Sequence, residues 1–332
     1  MDFTGEKKVV IVDFDKTSTH VRRQLASHLD GLILSDYFLN TEIVGDISFL
    51  NKFSLLLRLL KRLRGDGKGV VHVLSFGGGT NVAVFFALFF IRFKWIPTIN
   101  GIGRHVDIYH KLSIVGLLYM LIVRYFSFYA FVQNSRDLRL LKKSKSKVVP
   151  GSGFNKELLL IDLKEGAGRY KVGFVGRKEE LKGYFKFIEL ANEVDDCDFY
   201  IYGEGEDFFK NELNVKNMGY LRPLEIFSFI DILVLPTEYG EGIPRTVIES
   251  AAAGCLILSS RIPGNISLVD EYNIEMELVN VPVEGQELKN SLQLITSKSR
   301  SENLAIRRRN RLKTLGFDID SIAKLYSHYL KY

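Results

Sequence analysis

Cysteine is scarce. Cys197 and Cys255 are the only two among 332 residues, and neither belongs to a spaced cluster. That excludes a disulfide framework and a cysteine-built metal site, and it fits a reducing cytoplasm. Residues 1–8 are polar and the first apolar run covers only 9–12, so no secretory signal is expected. Apolar runs of membrane length are equally rare. Residues 82–91 are too few to cross a bilayer. Residues 112–132 suffice in number but contain Arg124, several tyrosines and a β-like tail, so a buried helix running into a strand is expected there. Zinc-ligand spacing, a recognition-helix pattern and basic–aromatic alternation are also missing, which argues against a nucleic-acid partner.

What is present describes a globular protein: 46% hydrophobic and 25% charged residues, in a chain too long for one core and therefore expected to form two domains. The formal charge of +6 favours an anionic partner, whether nucleic acid, acidic lipid or a phosphorylated substrate, without choosing among them. Apolar runs at 9–12, 32–34 and 70–74 read as strands, and 97–103 and 130–134 as further strand ends, alternating with helical stretches in the pattern of a parallel α/β sheet. Within the first half, residues 53–64 read as a basic amphipathic helix. The charged run at 142–147, the turn Pro150-Gly151-Ser152-Gly153 and a loop at 164–168 mark a crossing between domains. The alternation then restarts, with strands at 171–175 and 199–202 and helices at 184–193 and 225–230. Two domains follow, 1–160 and 161–317, with a last amphipathic helix over 318–332 returning to the first. Arg307, Arg308, Arg309 and Arg311 are expected on the solvated face of a helix.

The most informative stretch is 236–254. An apolar strand (232–235) stops at Pro236, a glycine-rich loop follows, Pro244 is placed in the first turn of a helix that runs to Gly254, and a second apolar strand begins. In an open parallel sheet such a loop lies at the carboxyl end of the strand, where ligands bind. Glu241 precedes the helix and Glu249 sits in its second turn; eight helical steps would separate them by roughly 12 Å. Each carboxylate has two acceptor oxygens for a vicinal diol. With a helix N-terminus that favours phosphate between them, the pair suits a nucleotide sugar. Two solvated glutamates on a surface loop would have the same spacing.

The residues around this unit carry a resemblance. Gly173-Phe174-Val175-Gly176-Arg177 with Lys182-Gly183, then Tyr202-Gly203-Glu204-Gly205, Asn217-Met218-Gly219-Tyr220, the strand 231–237, and Glu241 through Glu249 closed by Ala252-Ala253-Gly254 resemble, in order, the motifs of retaining glycosyltransferases of the GT-B type, family 4. The form Glu241-Gly242-Ile243-Pro244-Arg245 is similar to the subgroup that assembles bacterial polysaccharides and glycoproteins on polyprenyl diphosphate lipids. The resemblance covers about 171–269, with looser likeness in the first half. It implies a GT-B fold of two Rossmann-like domains facing across a cleft, the first for the acceptor and the second for the donor. It further implies a hexosyltransferase using a nucleotide sugar, UDP-sugar favoured, in capsule or O-antigen synthesis, peripheral to an anionic membrane at the inner face of the plasma membrane.

By position the resemblance assigns Arg177 and Lys182 to the donor diphosphate, Glu241 to the sugar hydroxyls and Glu249 to the ribose. It also places Gly242, Ile243, Arg245, Gly176, Gly203, Thr237, Met218 and Gly219 around the donor. It implies no cofactor and no metal, with the donor phosphate helping to take the acceptor proton. Two departures stand out. The first strand ends in Asp13-Phe14-Asp15-Lys16-Thr17 where the family has a glycine pair, so Gly77 and Gly78 are candidates to replace it. Asn100 stands where a histidine is common, with His105 just beyond. The same Asp13/Asp15 stretch also resembles the first motif of magnesium-dependent haloacid-dehalogenase phosphohydrolases. That is one alternative, and a non-catalytic basic binding protein is another. Asp196-Cys197-Asp198 precedes a strand, the wrong end for a ligand.

Overall fold

The computed structural model describes residues 8–13, 32–33, 54, 57, 71–76, 78–90, 93–101, 113–163, 165–206 and 214–330. The described chain divides into two compact units, one holding the segments up to 101, 114–150 and the last helix, the other 151–318. The expected helix from Ser18 or Thr19 lies outside the described residues, and so does nearly all of the basic helix expected over 53–64.

The first unit contains β1 (Lys8–Asp13), β2 (Leu32–Ile33), β3 (Val71–Phe76), α1 (Gly78–Ala87), β4 (Lys94–Ile99), α2 (Ile114–Phe126), β5 (Ala130–Val132), α3 (Ser135–Leu141) and β6 (Ser146–Val148). Its sheet is wholly parallel in the order β2-β1-β3-β4-β5-β6. Parallel strands covered on both faces need unbroken apolar runs. Val73, Leu74, Ile96, Ile99, Phe131 and Val132 supply them, each fully or almost fully buried. Polar groups inside are paired: Ser75 donates to Asn81 at 2.5 Å, Trp95 Nε1 donates to Ser75 at 2.8 Å, and Asn81 Nδ2 donates to Tyr119 at 2.7 Å. The expected helix-to-strand passage at 112–132 is α2 followed by β5, but α2 is buried on one face only, through Gly116, Met120 and Val123. Among the described residues, no helix is long and apolar enough to cross a membrane.

The second unit contains β7 (Tyr170–Val175), α4 (Tyr184–Glu193), β8 (Cys197–Tyr202), β9 (Val215–Gly219), α5 (Pro223–Phe227), β10 (Ile232–Leu235), α6 (Arg245–Ala253), β11 (Leu256–Ser260), α7 (Pro263–Asp270), β12 (Glu277–Val279), α8 (Gly285–Ser297) and α9 (Arg300–Lys313). The parallel order is β12-β11-β10-β7-β8-β9. Chain direction through the sheet reverses between β7 and β10, the place where an open sheet leaves a crevice for a ligand. The unit starts earlier than residue 161, because Phe154 and Leu158 are buried in its core. A last helix, α10 (Ile319–Leu330), packs on the first unit: Ile322, Ala323 and Tyr326 meet Leu74 and Phe131, with the Phe131 and Tyr326 rings edge-on at 4.7 Å.

The arginines of α9 are not simply a solvated face. Arg311 donates to the carbonyls of Ala252 and Ala253 at 3.0 and 2.6 Å, and Arg307 donates to that of Gly254. These are carbonyls that the end of α6 cannot satisfy itself, and positive charge is favoured there by the helix dipole. Arg309 grips Glu275 through two bonds of 2.7 Å, while Arg308 is exposed. Hydrogen bonds from Arg309, with Lys313 adding to them, hold the Glu275 carboxyl down at about 2. A carboxylate whose pKa is lowered by folding adds stability above its unfolded pKa and loses it as pH falls toward the folded one. Glu275→Gln is therefore expected to melt below the wild type at neutral pH, with the gap closing between about pH 4.5 and 2; thermal melts across that range check it.

Candidate active site

The site is built where β7 and β10 end side by side. The chain leaves β7 through Gly176 and Arg177 and reaches α4 through Lys182 and Gly183. Gly183 has φ +78°, and a Cβ there would stand 2.1 Å from the carbonyl oxygen of Pro236, the first residue after β10. Only glycine allows that approach. The Glu238 amide then donates to the Leu181 carbonyl at 2.9 Å, joining the two loops.

That contact sets Lys182 against Glu241. The ammonium pairs with Glu241 Oε1, the Tyr239 hydroxyl donates to the same oxygen, and the ammonium lies 5.2 Å from the Tyr239 ring centre. The Lys182 and Glu241 side chains are 15% and 14% exposed. Burial works against the charge on Lys182, but the Glu241 carboxylate and the Tyr239 hydroxyl outweigh it and hold the lysine above its ordinary pKa. Glu241 Oε2 is buried with no partner among the described residues. A buried acceptor left open costs about 1–3 kcal/mol, so this oxygen is suited to a ligand hydroxyl.

Pro244 is the N-cap of α6 with ψ 122°, not a residue of its first turn; its extended backbone leaves Arg245 as the first helical residue. Glu249, in the second turn, is 6% exposed and accepts a hydrogen bond of 2.8 Å from Arg245 Nε. Burial raises the Glu249 pKa, and Arg245 works against that rise. Thus Arg245, expected at the donor, holds a neighbouring carboxylate. Gly242 is buried, and its carbonyl lies so close to Gly264 of α7 that a Cβ on Gly264 would be 1.5 Å from it. Ile243 is buried beside it.

On the other side of β7 the strand ends are stitched through glycines. The Gly176 amide donates to the Tyr202 carbonyl at 3.0 Å and the Gly203 amide to the Gly219 carbonyl at 2.9 Å. Gly203, at φ +136°, admits no Cβ, which would be 2.0 Å from the Gly176 oxygen. Met218 is 40% exposed at the end of β9. Arg177 is exposed and pairs with Glu179 at 2.8 Å. The fold therefore joins Lys182 to Glu241 and Arg245 to Glu249, and leaves Arg177 at the rim of the same strand end.

Sequence reasoning passed over Tyr239, although a phenol two residues before Glu241 in the motif loop is a readable signal. It also passed over the polar floor after β10 and β11. Thr237 Oγ1, Ser260 Oγ and Asn265 Oδ1 are buried there without a partner among the described residues, while Asn265 Nδ2 donates to Ser259 at 2.8 Å. Only the Thr237 part of that floor was foreseen.

In the first unit, Gly78 opens α1 and Asn100 is exposed, accepting a 3.2 Å bond from Gln133. Gly77, His105 and Asp15 lie outside the described residues, and Asp13 ends β1. Asp196-Cys197-Asp198 sits at the amino end of β8, with Asp198 paired to Arg169 at 3.3 Å and burial, with Asp196 adding, pushing the Cys197 thiol up to about 12. Among the described residues, His, Cys, Asp and Glu nowhere gather in threes as metal ligands would.

Comparison with known proteins bears on this constellation. Residues 169–293 match the family model described as glycosyl transferases group 1. The matched stretch lies wholly within the second unit. A Klebsiella pneumoniae protein described only as an uncharacterized 42.6 kDa protein in cps region is 27% identical over 179 residues, which is 51% of this chain and 42% of that protein. The chain thus matches less than half the length of this curated relative. Among solved structures, sucrose-phosphate synthase from Thermosynechococcus elongatus superimposes with TM-score 0.76 at 13% identity, over 98% of each chain. HepE of Anabaena, solved with UDP and glucose, does so at 0.75 and 15%, over 98% of this chain and all of that one. These likenesses establish the GT-B fold: two α/β domains with parallel sheets.

The second unit depends on the Gly183 contact. Gly183→Ala is expected to destabilise the chain by about 2 kcal/mol or more, from left-handed strain alone before the clash with Pro236. A melting curve matching the wild type would contradict this reading of the joint.

Proposed function

We propose that the chain is a retaining glycosyltransferase that moves a hexose or N-acetylhexosamine from a nucleotide sugar to a saccharide acceptor. A UDP-sugar is favoured over a GDP-sugar as donor. The acceptor is a glycan on polyprenyl diphosphate, built at the inner face of the plasma membrane for bacterial surface polysaccharide. The observation that carries the reading is the buried Lys182–Glu241 pair at the switch point, with one Glu241 oxygen still open. The GT-B likeness to HepE, which was solved with UDP and glucose, supports the donor class. The cps-region relative supports the polysaccharide setting.

In this mechanism the acceptor hydroxyl attacks the sugar C1 on the face from which the diphosphate leaves. The C1–O bond breaks, its electrons stay on the phosphate oxygen, and that oxygen takes the acceptor proton. Charge develops on the leaving phosphate, where fixed cations are most effective. Lys182 stands beside Glu241 to serve there, and Arg177, held at the rim by Glu179, is the second cation at the same strand end. Glu241 accepts from sugar hydroxyls through Oε2, and Glu249 accepts from the ribose diol. The protein's own cations neutralise the diphosphate, so activity is expected to survive EDTA.

Lys182→Ala and Glu249→Ala are each expected to cost at least ~100-fold in rate, and full activity in either would sink the assignment. A thermal-shift screen of sugar nucleotides identifies the donor, because a ligand bound by the folded state alone raises the melting temperature. Since Glu249 must be ionised to accept both diol hydrogens and its pKa is raised by burial, donor affinity is expected to weaken on acidification before the ordinary carboxylate range is reached. Glu249→Gln, measured by calorimetry across that range, should remove the dependence along with most of the affinity.

A further inference from the structure

Eleven of the twenty large apolar side chains exposed among the described residues belong to α1, the turn after it, and α2. On α2 the buried face is Gly116, Met120 and Val123, while Leu117, Leu118, Leu121 and Tyr125 face outward. A helix apolar all the way round belongs in a core or in lipid, yet this one lies at a surface. The Phe85 ring, 5.5 Å from Phe89 and 5.3 Å from Phe126, joins the ends of both helices into one patch.

Among the described residues, the segments that form the patch carry charge of one sign. Residues 78–101 and 113–136 contain neither aspartate nor glutamate. At its edge the ammonium groups of Lys94 and Lys145 stand 4.2 and 5.1 Å from the Phe128 ring centre, and the Arg124 guanidinium is 5.4 Å from that of Tyr125. Lys143 is spent on the carbonyls of Arg124 and Ser127, at 2.9 and 2.7 Å, closing the end of α2. A second copy of the chain, docked by two-fold symmetry, would set like-charged rims against each other. An anionic bilayer takes the same surface without conflict, aromatic and aliphatic side chains entering the interfacial layer while lysine and arginine reach the headgroups.

We propose that this α1–α2 face is the surface by which the chain seats on an anionic membrane. Phe86, Phe89, Phe90, Leu118, Leu121 and Tyr125 enter the interface, and Lys94, Arg124 and Lys145 lie at headgroup level. The purpose of such seating rests on the lipid-linked acceptor proposed above, but the binding itself is measurable without the reaction.

The test is co-sedimentation of the full chain with vesicles of phosphatidylcholine, alone or mixed with phosphatidylglycerol. The wild type is expected to bind the mixed vesicles and to release with salt. Phe89→Ser combined with Leu118→Ser, at positions 69% and 54% exposed, should lower the partition coefficient at least ~10-fold, as loss of two inserted apolar groups implies. The melting temperature and the shift given by sugar nucleotides should stay as in the wild type. Equal partitioning of wild type and variant overturns the proposal, as does wild-type binding to neither vesicle. A wild-type dimer that the variant converts to monomer, with no vesicle binding, overturns it in favour of a copy–copy interface. Loss of the nucleotide shift with vesicle binding intact refutes the donor-site reading and leaves this surface standing.

Discussion

The second unit turns on a close approach of two backbones. Where Gly183 touches the Pro236 carbonyl, the loop from β7 and the loop from β10 are locked together. That joint carries Lys182 to Glu241, and the two share their charges in a place with little water. A lone charge buried there would be costly, and removing one partner of such a pair typically costs about 3–5 kcal/mol. The pair is thus both a structural clasp and a prepared set of charges, with one carboxylate oxygen left for a ligand.

A second constraint acts on α6, the helix that carries Glu249. Its carboxyl end is held by Arg307 and Arg311 from α9, and the loop before its amino end is pressed against Gly264 of α7. Pinned at both ends, α6 presents the buried Glu249 with Arg245 already bonded to it. Arginines that look like a solvated stripe are in this way part of the apparatus that places a carboxylate far from them in the chain. Their effect is positional, through orphan carbonyls and the helix dipole, and does not require contact with any ligand.

The first unit answers to a different demand. Its sheet is shielded by one face of each helix, and the opposite faces of α1 and α2 stay apolar and free of acidic residues. Read from sequence, residues 112–132 looked like a buried helix because hydropathy measures the residues and not what covers them. The helix and the strand after it were legible from length and tail. Burial on one side only was not, since it depends on which elements reach that side.

By itself the sequence determined the alternation of strands and helices, the second unit's motifs in order, and the pairing of Glu241 and Glu249 around a helix mouth. These are local: apolar runs, glycine turns and helix spacing are written in neighbouring residues. It determined less where elements are short or lack a period, as in the exposed edge strand β9 and the three-residue β12. Only the tertiary structure decided that Lys182 meets Glu241, that Arg245 serves Glu249 while Arg177 stays at the rim, that Tyr239 joins the cluster, and that Phe154 and Leu158 belong to the second core. Lys182 and Glu241, and Phe154 and Leu158 with their core, are distant in the chain and meet only because the parallel sheet and its switch point bring them together. Arg245–Glu249 and Tyr239–Glu241 are near neighbours, and what the tertiary structure decided for them is burial, which spacing does not encode.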